Sequence, residues 1–209
     1  MFTLEHISKS YKTKKVLEDI SISAAEGEAI GILGTNGVGK STLLSYIATF
    51  YANSKDFNIG YLPQDNPLFD ELKPIDNIKM WCKFSKKEIL DKLNSAPLNK
   101  LGITEFLDVP VKNMSGGMKK RLSLATVLIN EPNILLMDEP FAALDLPAKQ
   151  DIASYMEFFL SNKGIIIVAS HDEEIFDFCN KVYLLKDGKL VDTKKLTEQG
   201  ISYIDMLRS

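Results

Sequence analysis

Cysteine is scarce in this sequence: Cys82 and Cys179 are the only two, far apart and in no CxxC pair. That excludes a disulfide framework or a thiolate metal finger, and it reads as free thiols in a reducing, cytoplasmic compartment. Long apolar runs are also missing. The longest, Ile165–Ala169, has five residues, far too few to cross a bilayer. Any membrane span must therefore come from another chain. No long basic tract occurs and the net charge is −3, which speaks against nucleic acid as a partner. The stretch from Phe2 to Lys15 mixes charged and apolar residues, unlike a secretory leader. Internal repeats and low-complexity segments are absent as well. What remains is an ordinary soluble composition, 45% apolar and 25% charged. The length suits one sizeable domain, or two small lobes sharing a core.

Against that background one stretch stands apart. Gly34-Thr35-Asn36-Gly37-Val38-Gly39-Lys40-Ser41-Thr42 carries the spacing G-x-x-x-x-G-K-[ST]. The apolar Ala29–Leu33 before it reads as a buried strand, and Leu43–Ala48 after it as a helix. Strand, glycine-rich loop and helix form the context of a phosphate-binding loop. Glycines let backbone N–H groups turn inward around phosphates, and the helix N-terminus adds partial positive charge. Lys40 is placed to reach the β- and γ-phosphates, and the Ser41 hydroxyl to ligate Mg²⁺.

The rest of the chain alternates strands and helices. Phe2–Ile7 and Val16–Ser23 read as short strands of a β-rich start, with Tyr11 between them before a lysine-rich turn. An aromatic at that place suits stacking on adenine, although packing alone also accounts for it. Lys40–Phe50 reads as a helix, and Asn58–Leu62 as a strand followed by Gln64 on a loop. From Asp70 to about Lys112 the pattern turns helical, as in a small lobe inserted into the nucleotide core. Ser115 is placed to cap a helix running on from Gly116 and Gly117, with Leu122, Ala125, Thr126 and Ile129 on one buried face. Ile134–Met137 and Ile165–Ala169 read as buried strands, and Leu146 to about Asn162 as a helix opened by Pro147. Val182–Leu185 and Lys189–Val191 form a hairpin around Asp187-Gly188. A short terminal helix is expected from Gln199. The expected fold is α/β: mainly parallel sheet flanked by helices, with a small antiparallel β lobe and the helical lobe, in one domain over residues 1–209.

Acids follow one of the buried strands. Asp138 ends it and is suited to hold Mg²⁺ through water. Glu139 comes next, expected on the opposite side, and is the candidate to polarise an attacking water.

With these residues in place the chain resembles the ABC-type ATPases, as the nucleotide-binding subunit of an ABC transporter. Gly34–Thr42, Gln64, Met114-Ser-Gly-Gly-Met118, Ile134–Glu139, Ala143-Leu-Asp145 and His171 occur in that family's order and approximate spacing. The resemblance implies ATP and Mg²⁺ as ligands and Tyr11 as the adenine-stacking aromatic. It implies that Gln64 touches Mg²⁺ and the water and senses the membrane partner. It makes Asp138 the metal-supporting acid, Glu139 the general base, and His171 the contact to the γ-phosphate. Ser115, Gly116 and Gly117 would serve the ATP of a second copy, and Asp145 the loop linking two sites across a two-fold dimer. A separate permease is the implied membrane partner, met by the helical lobe through Phe69, Leu72, Ile75, Met80, Trp81 and Phe84, which equally suit the lobe's own core. The protein would then be peripheral on the inner face of the membrane.

Met118 stands where the signature usually has glutamine, and Phe141-Ala-Ala143 replaces small polar residues. The short segment from Tyr51 to Ile59 implies a trimmed β lobe. A single small cassette without a regulatory extension points to export. The other readings are an ABC ATPase signalling through a membrane partner, as in cell division, or a soluble one. The soluble translation and DNA-repair types carry a second cassette or a long coiled coil, and neither is found here.

Overall fold

A computed structural model describes every residue except Asn66, Ala143, Glu174 and Ser209. Ala143, part of the Ala143–Asp145 motif, therefore lies outside the described residues.

The chain begins with two long antiparallel strands, β1 (Phe2–Tyr11) and β2 (Lys14–Ala24), which among the described residues pair only with each other. Both run further than the apolar alternation suggests. Their register slips near Leu4/Ile7 and Ile7/Lys9, and His6 and Asp19 adopt positive φ values of 53° and 54° there. Bulges of this kind interrupt the alternation a sequence reading relies on. This two-stranded sheet is the small β lobe.

A six-stranded sheet forms the core. Its strands are β3 (Ala29–Leu33), β4 (Ile59–Leu62), β5 (Ile134–Asp138), β6 (Ile165–Ser170), β7 (Lys181–Lys186) and β8 (Lys189–Asp192), in the order β4-β5-β6-β3-β7-β8. All neighbours are parallel except β7 and β8. Every residue of β3, β5 and β6 is buried, because helices and the β lobe cover both faces, so these strands read as unbroken apolar runs. The β7–β8 turn places Asp187 and Gly188 at φ 48° and 76°, the paired left-handed geometry of a tight hairpin.

Helix α1 (Lys40–Phe50) follows β3, while α2 (Pro74–Trp81), α3 (Lys86–Leu93) and short 3₁₀ turns between Leu98 and Asn113 make the helical lobe. Ser85 and Glu88 cap α3 reciprocally. Helix α4 (Gly116–Leu128) is buried nearly all round, as expected of an element wedged between two lobes. Helix α5 (Leu146–Ser161) is capped by Asp145. The short α6 (Ile175–Phe178) precedes β7. The end of the chain differs from expectation. The helix expected from Gln199 begins at Tyr203, as α8 (Tyr203–Arg208), and an unexpected one, α7 (Thr193–Glu198), precedes Gln199. Gly200, at φ 79°, turns the chain between them.

Register explains why distant residues meet. Leu33 of β3 pairs with Ser170 of β6, and Asp138 of β5 pairs with Ala169 of β6. The loop from Gly34, the acids at 138–139 and the Ser170-His171 pair thus leave the sheet at one edge, where a ligand of an α/β fold binds.

Candidate functional site

The loop is shaped by its glycines. Gly37 and Gly39 have φ values of 78° and 122°, which side-chain-bearing residues rarely adopt. A Cβ on Gly39 would also lie 2.9 Å from Val16 Cγ1. Gly39 caps α1 without a side-chain hydrogen bond, so the first helical N–H groups stay open to an anion. Gly34 N–H donates to the Ser170 carbonyl at 3.3 Å, tying the loop to the end of β6.

Lys40 is 5% exposed and folds back into the loop. Its Nζ donates to the Gly34 and Thr35 carbonyls at 2.7 and 3.3 Å and lies 3.2 Å from Glu139 Oε1. Glu139 is itself 4% exposed. The expected opposition of the two acids is not what the fold produces. Strand alternation would send Glu139 to the far side, but its backbone has φ 48°. That turn brings it back, and Asp138 and Glu139 line the same cavity.

The cavity has a volume of about 460 Å³ and is bounded by the loop, Val16, Gln64 and the two acids. A smaller hollow of about 240 Å³ adjoins it through Thr42 and holds Tyr11, Lys9, Tyr46 and Phe50. Tyr11 is 56% exposed there, so its ring is open to a planar ligand. His171 Nδ1 lies 3.0 Å from Glu139 Oε1, but off the line a hydrogen bond needs. Asp138 Oδ1, Glu139 Oε1 and His171 Nδ1 are all buried without a hydrogen-bond partner among the described residues. Buried polar atoms are seldom left so. Asp138 and Glu139 line the cavity and His171 stands beside Glu139, so these atoms fit a polar ligand that supplies the missing hydrogen bonds.

Burial raises the Asp138 pKa, while the adjacent Ser41 hydroxyl and the Lys40 and Lys120 charges oppose the shift. The Ser41 hydroxyl, Asp138 carboxylate and Gln64 amide offer only oxygen, the donor set that Mg²⁺ takes beside phosphates. The unpartnered Oδ1 of Asp138 fits that ion.

Ser115, Gly116 and Gly117 do not line this cavity. They lie elsewhere on the surface, with Ser115 Oγ accepting from Met118 N–H at 3.3 Å. Asp145 belongs with them: its Oδ1 lies 3.8 Å from where a Cβ on Gly117 would stand, and it accepts from Ala148 N–H at 3.1 Å. The sequence-derived residues therefore fall into two separate groups.

Two further residues join the site without a sequence signal strong enough to single them out. Ser170 Oγ donates to Glu139 Oε2 at 3.1 Å and accepts from Asp172 N–H at 3.1 Å. A polar residue closing an apolar strand was its only hint. Lys120, 4% exposed on α4, has its pKa lowered by burial, against the pull of Asp138, Glu139 and Asp65. Nothing local marks Lys120 as buried.

Comparison with known proteins agrees with this geometry. The family profile described as ABC transporter matches residues 17–142. An uncharacterized ABC transporter ATP-binding protein of Methanocaldococcus jannaschii is 34% identical, over 98% of this chain and 82% of that protein. The spermidine/putrescine import ATP-binding protein of Bacteroides thetaiotaomicron is 32% identical over 90% of this chain, which spans 45% of that longer protein. Among solved structures, the dimeric structure of a bacterial ABC transporter cassette superposes with a TM-score of 0.76 at 24% identity, over 91% of this chain and 96% of that one. The phosphate loop, the acids after β5 and the separate Ser115–Gly117 turn are thus set in a shared fold and sequence, and this chain belongs to the ABC transporter family as one of its ATP-binding proteins.

Proposed function

We propose that this chain hydrolyses ATP as the motor subunit of an ABC transporter, with two copies closing on two nucleotides. The observation that supports it most is the cavity lined by Lys40, Asp138 and Glu139, where a buried oxygen of each carboxylate lacks a hydrogen bond and His171 Nδ1 stands 3.0 Å from Glu139. Adenine stacks on Tyr11, and the phosphates run along the backbone of Gly34–Thr42. Lys40 leaves Glu139 for the β- and γ-phosphates. Ser41, Asp138 and Gln64 would hold Mg²⁺, which neutralises charge on the phosphate oxygens. Glu139, freed from Lys40 and oriented by Ser170, accepts a proton from water as the water oxygen attacks the γ-phosphorus. The bond from that phosphorus to the β–γ bridging oxygen breaks, its electron pair leaves with ADP, and phosphate is released. His171 steadies the γ-phosphate and Glu139.

Two copies are required because Ser115–Gly117 and Asp145 sit apart from the cavity of their own chain. Their exposed N–H groups suit the γ-phosphate held by a partner copy, and the superposed cassette structure is a dimer. ATP then closes the pair, and loss of the γ-phosphate loosens it. No helix among the described residues is long and apolar enough to cross a membrane, so a separate permease carries the substrate. Its docking place is the groove lined by Tyr61, Pro67, Trp81, Val127 and Pro132, flanked by exposed Phe69 and Met80. Export gains no support, since one relative is named for import, and the motor is assigned no direction.

Two inactive variants test this reading together. Lys40→Ala should lose ATP binding, and Ser115→Arg should bind ATP without turnover. Mixing them rebuilds one composite site, so phosphate release should return. A mixture that forms dimers and stays inactive sinks the two-copy reading, and undiminished ATP binding by Lys40→Ala sinks the phosphate-loop assignment.

A further inference from the structure

The C-terminal segment has no place in the reading above, yet the fold ties it to the site. Helix α7 is anchored where Thr193 Oγ1 donates to the Val182 carbonyl at 2.8 Å, on the strand that pairs with β3. Gly200 turns the chain, and Ser202 caps α8, exchanging hydrogen bonds with Asp205 at 2.6 and 3.3 Å. Met206, 3% exposed, fixes α8 into the core. Tyr203 then faces the loop after β6. Its ring meets Phe176 edge-on at 6.3 Å between centroids, and its hydroxyl donates to the backbone carbonyl of His171.

We infer that Tyr203 is a positioning residue for His171, and that α8 is the brace that keeps the imidazole at Glu139. The physical reason is the peptide plane. The direction of the residue 171 carbonyl is coupled to its backbone dihedrals, and these aim the side chain. Ser170 Oγ holds the next residue through the Asp172 N–H; Tyr203 holds the carbonyl between them. The His171 side chain is 41% exposed and has no hydrogen bond of its own to Glu139, so its aim depends on the backbone. A continuous path results: Tyr203 to His171, His171 Nδ1 to Glu139 at 3.0 Å, and Glu139 to Lys40 at 3.2 Å. Burial raises the Tyr203 pKa, helped by nearby Asp172, Glu173 and Glu139, which keeps the hydroxyl a neutral donor.

The inference rests on the proposed ATPase reading, and the experiment separates the two. Tyr203→Phe removes only the hydroxyl and keeps the ring on Phe176. Loss of one hydrogen bond that orients a reacting group should lower kcat about threefold to tenfold, with KM for ATP within about twofold, as for an interaction that acts in the transition state. In a His171→Ala background the same change should have no further effect on residual turnover, since residues acting through one another are not additive. The chain has two histidines, His6 and His171, so two imidazole resonances of labelled protein report both. Tyr203→Phe should move the His171 resonance and leave that of His6 in place. An unchanged kcat with an unmoved resonance overturns the inference, as does a loss that persists undiminished without the imidazole. If instead the wild-type chain releases no phosphate from ATP, the ATPase reading fails, and the resonance of His171 still decides the role of Tyr203 without turnover.

Discussion

Glu139→Gln is the change whose consequences the structure dictates most fully. Lys40 Nζ and Glu139 Oε1 are 3.2 Å apart with side chains 6% and 4% exposed. At an effective dielectric near 20 the gross attraction is about 5 kcal/mol. Desolvation of two buried ions offsets most of this, leaving a net contribution of about 1–2 kcal/mol. ATP must dismantle that pair before Lys40 can reach its phosphates. The amide variant keeps the shape and the acceptor for Ser170 but removes the competing charge. ATP should therefore bind about fivefold to thirtyfold tighter, while turnover falls to background for want of a base. ADP lacks the γ-phosphate and should gain less. Without nucleotide, Lys40 keeps only the carbonyls of Gly34 and Thr35. Losing about 1–2 kcal/mol in a chain of this size should lower the Tm by roughly 2–8 °C. Titration calorimetry with ATP and ADP, phosphate release and a thermal melt measure the three effects. ATP affinity that is unchanged or weakened would show that the pair is not what nucleotide displaces.

Three further outcomes follow from the same contacts. Burial holds the Asp138 carboxyl above the ordinary carboxylate pKa; the penalty on folding is absent below that ordinary value, grows as pH rises through it, and is complete above the raised value. Asp138→Asn should therefore raise the nucleotide-free Tm near pH 7 but not in acid, and should abolish Mg²⁺-dependent turnover; a melt at pH 7 below wild type contradicts this. Ser170→Ala removes the 3.1 Å hydrogen bond to Glu139 Oε2 and should cut kcat by about tenfold, the value of a bond to a charged group, with ATP affinity little changed by fluorescent-nucleotide titration. Tyr11→Ala strips the exposed ring beside Tyr46 and Phe50 and should weaken ATP about fivefold through lost stacking, whereas Tyr11→Phe should bind as wild type; equal losses in both would tie Tyr11 to something other than stacking.

How much of this could be read beforehand varied with the range of the forces involved. Ala29–Leu33 and Lys40–Phe50 have the same limits in sequence pattern and structure, because a buried parallel strand and a glycine-started helix leave local signatures. The Ser115 cap was equally visible, being a bond to a residue three positions on; the Asp145 cap of α5 has the same spacing, but the sequence reading assigned that residue only to the loop linking two sites. The side taken by Glu139 was misread, since alternation assumes an extended backbone and the residue is left-handed. At the C-terminus the expected helix starts late, at Tyr203, because the chain turns at Gly200, and α7 before it left no sign, since these segments are held by distant partners, Val182 and His171. Lys120 gave no sign of burial, for α4 is enclosed by both lobes and no longer shows one polar face.

By itself the sequence determined the phosphate loop, the acids after a buried strand, the Ser-Gly-Gly turn and thereby the family. Each is a short segment whose chemistry is complete within a few residues. The tertiary structure alone decided which of them share a cavity. The order β5-β6-β3 sets Asp138, His171 and Gly34 side by side across three adjacent strands, although they are far apart along the chain. It also left Ser115–Gly117 outside that cavity and braced His171 with Tyr203. Strand order and docking are selected by the burial of two whole hydrophobic clusters, a sum over the molecule that no local spacing encodes.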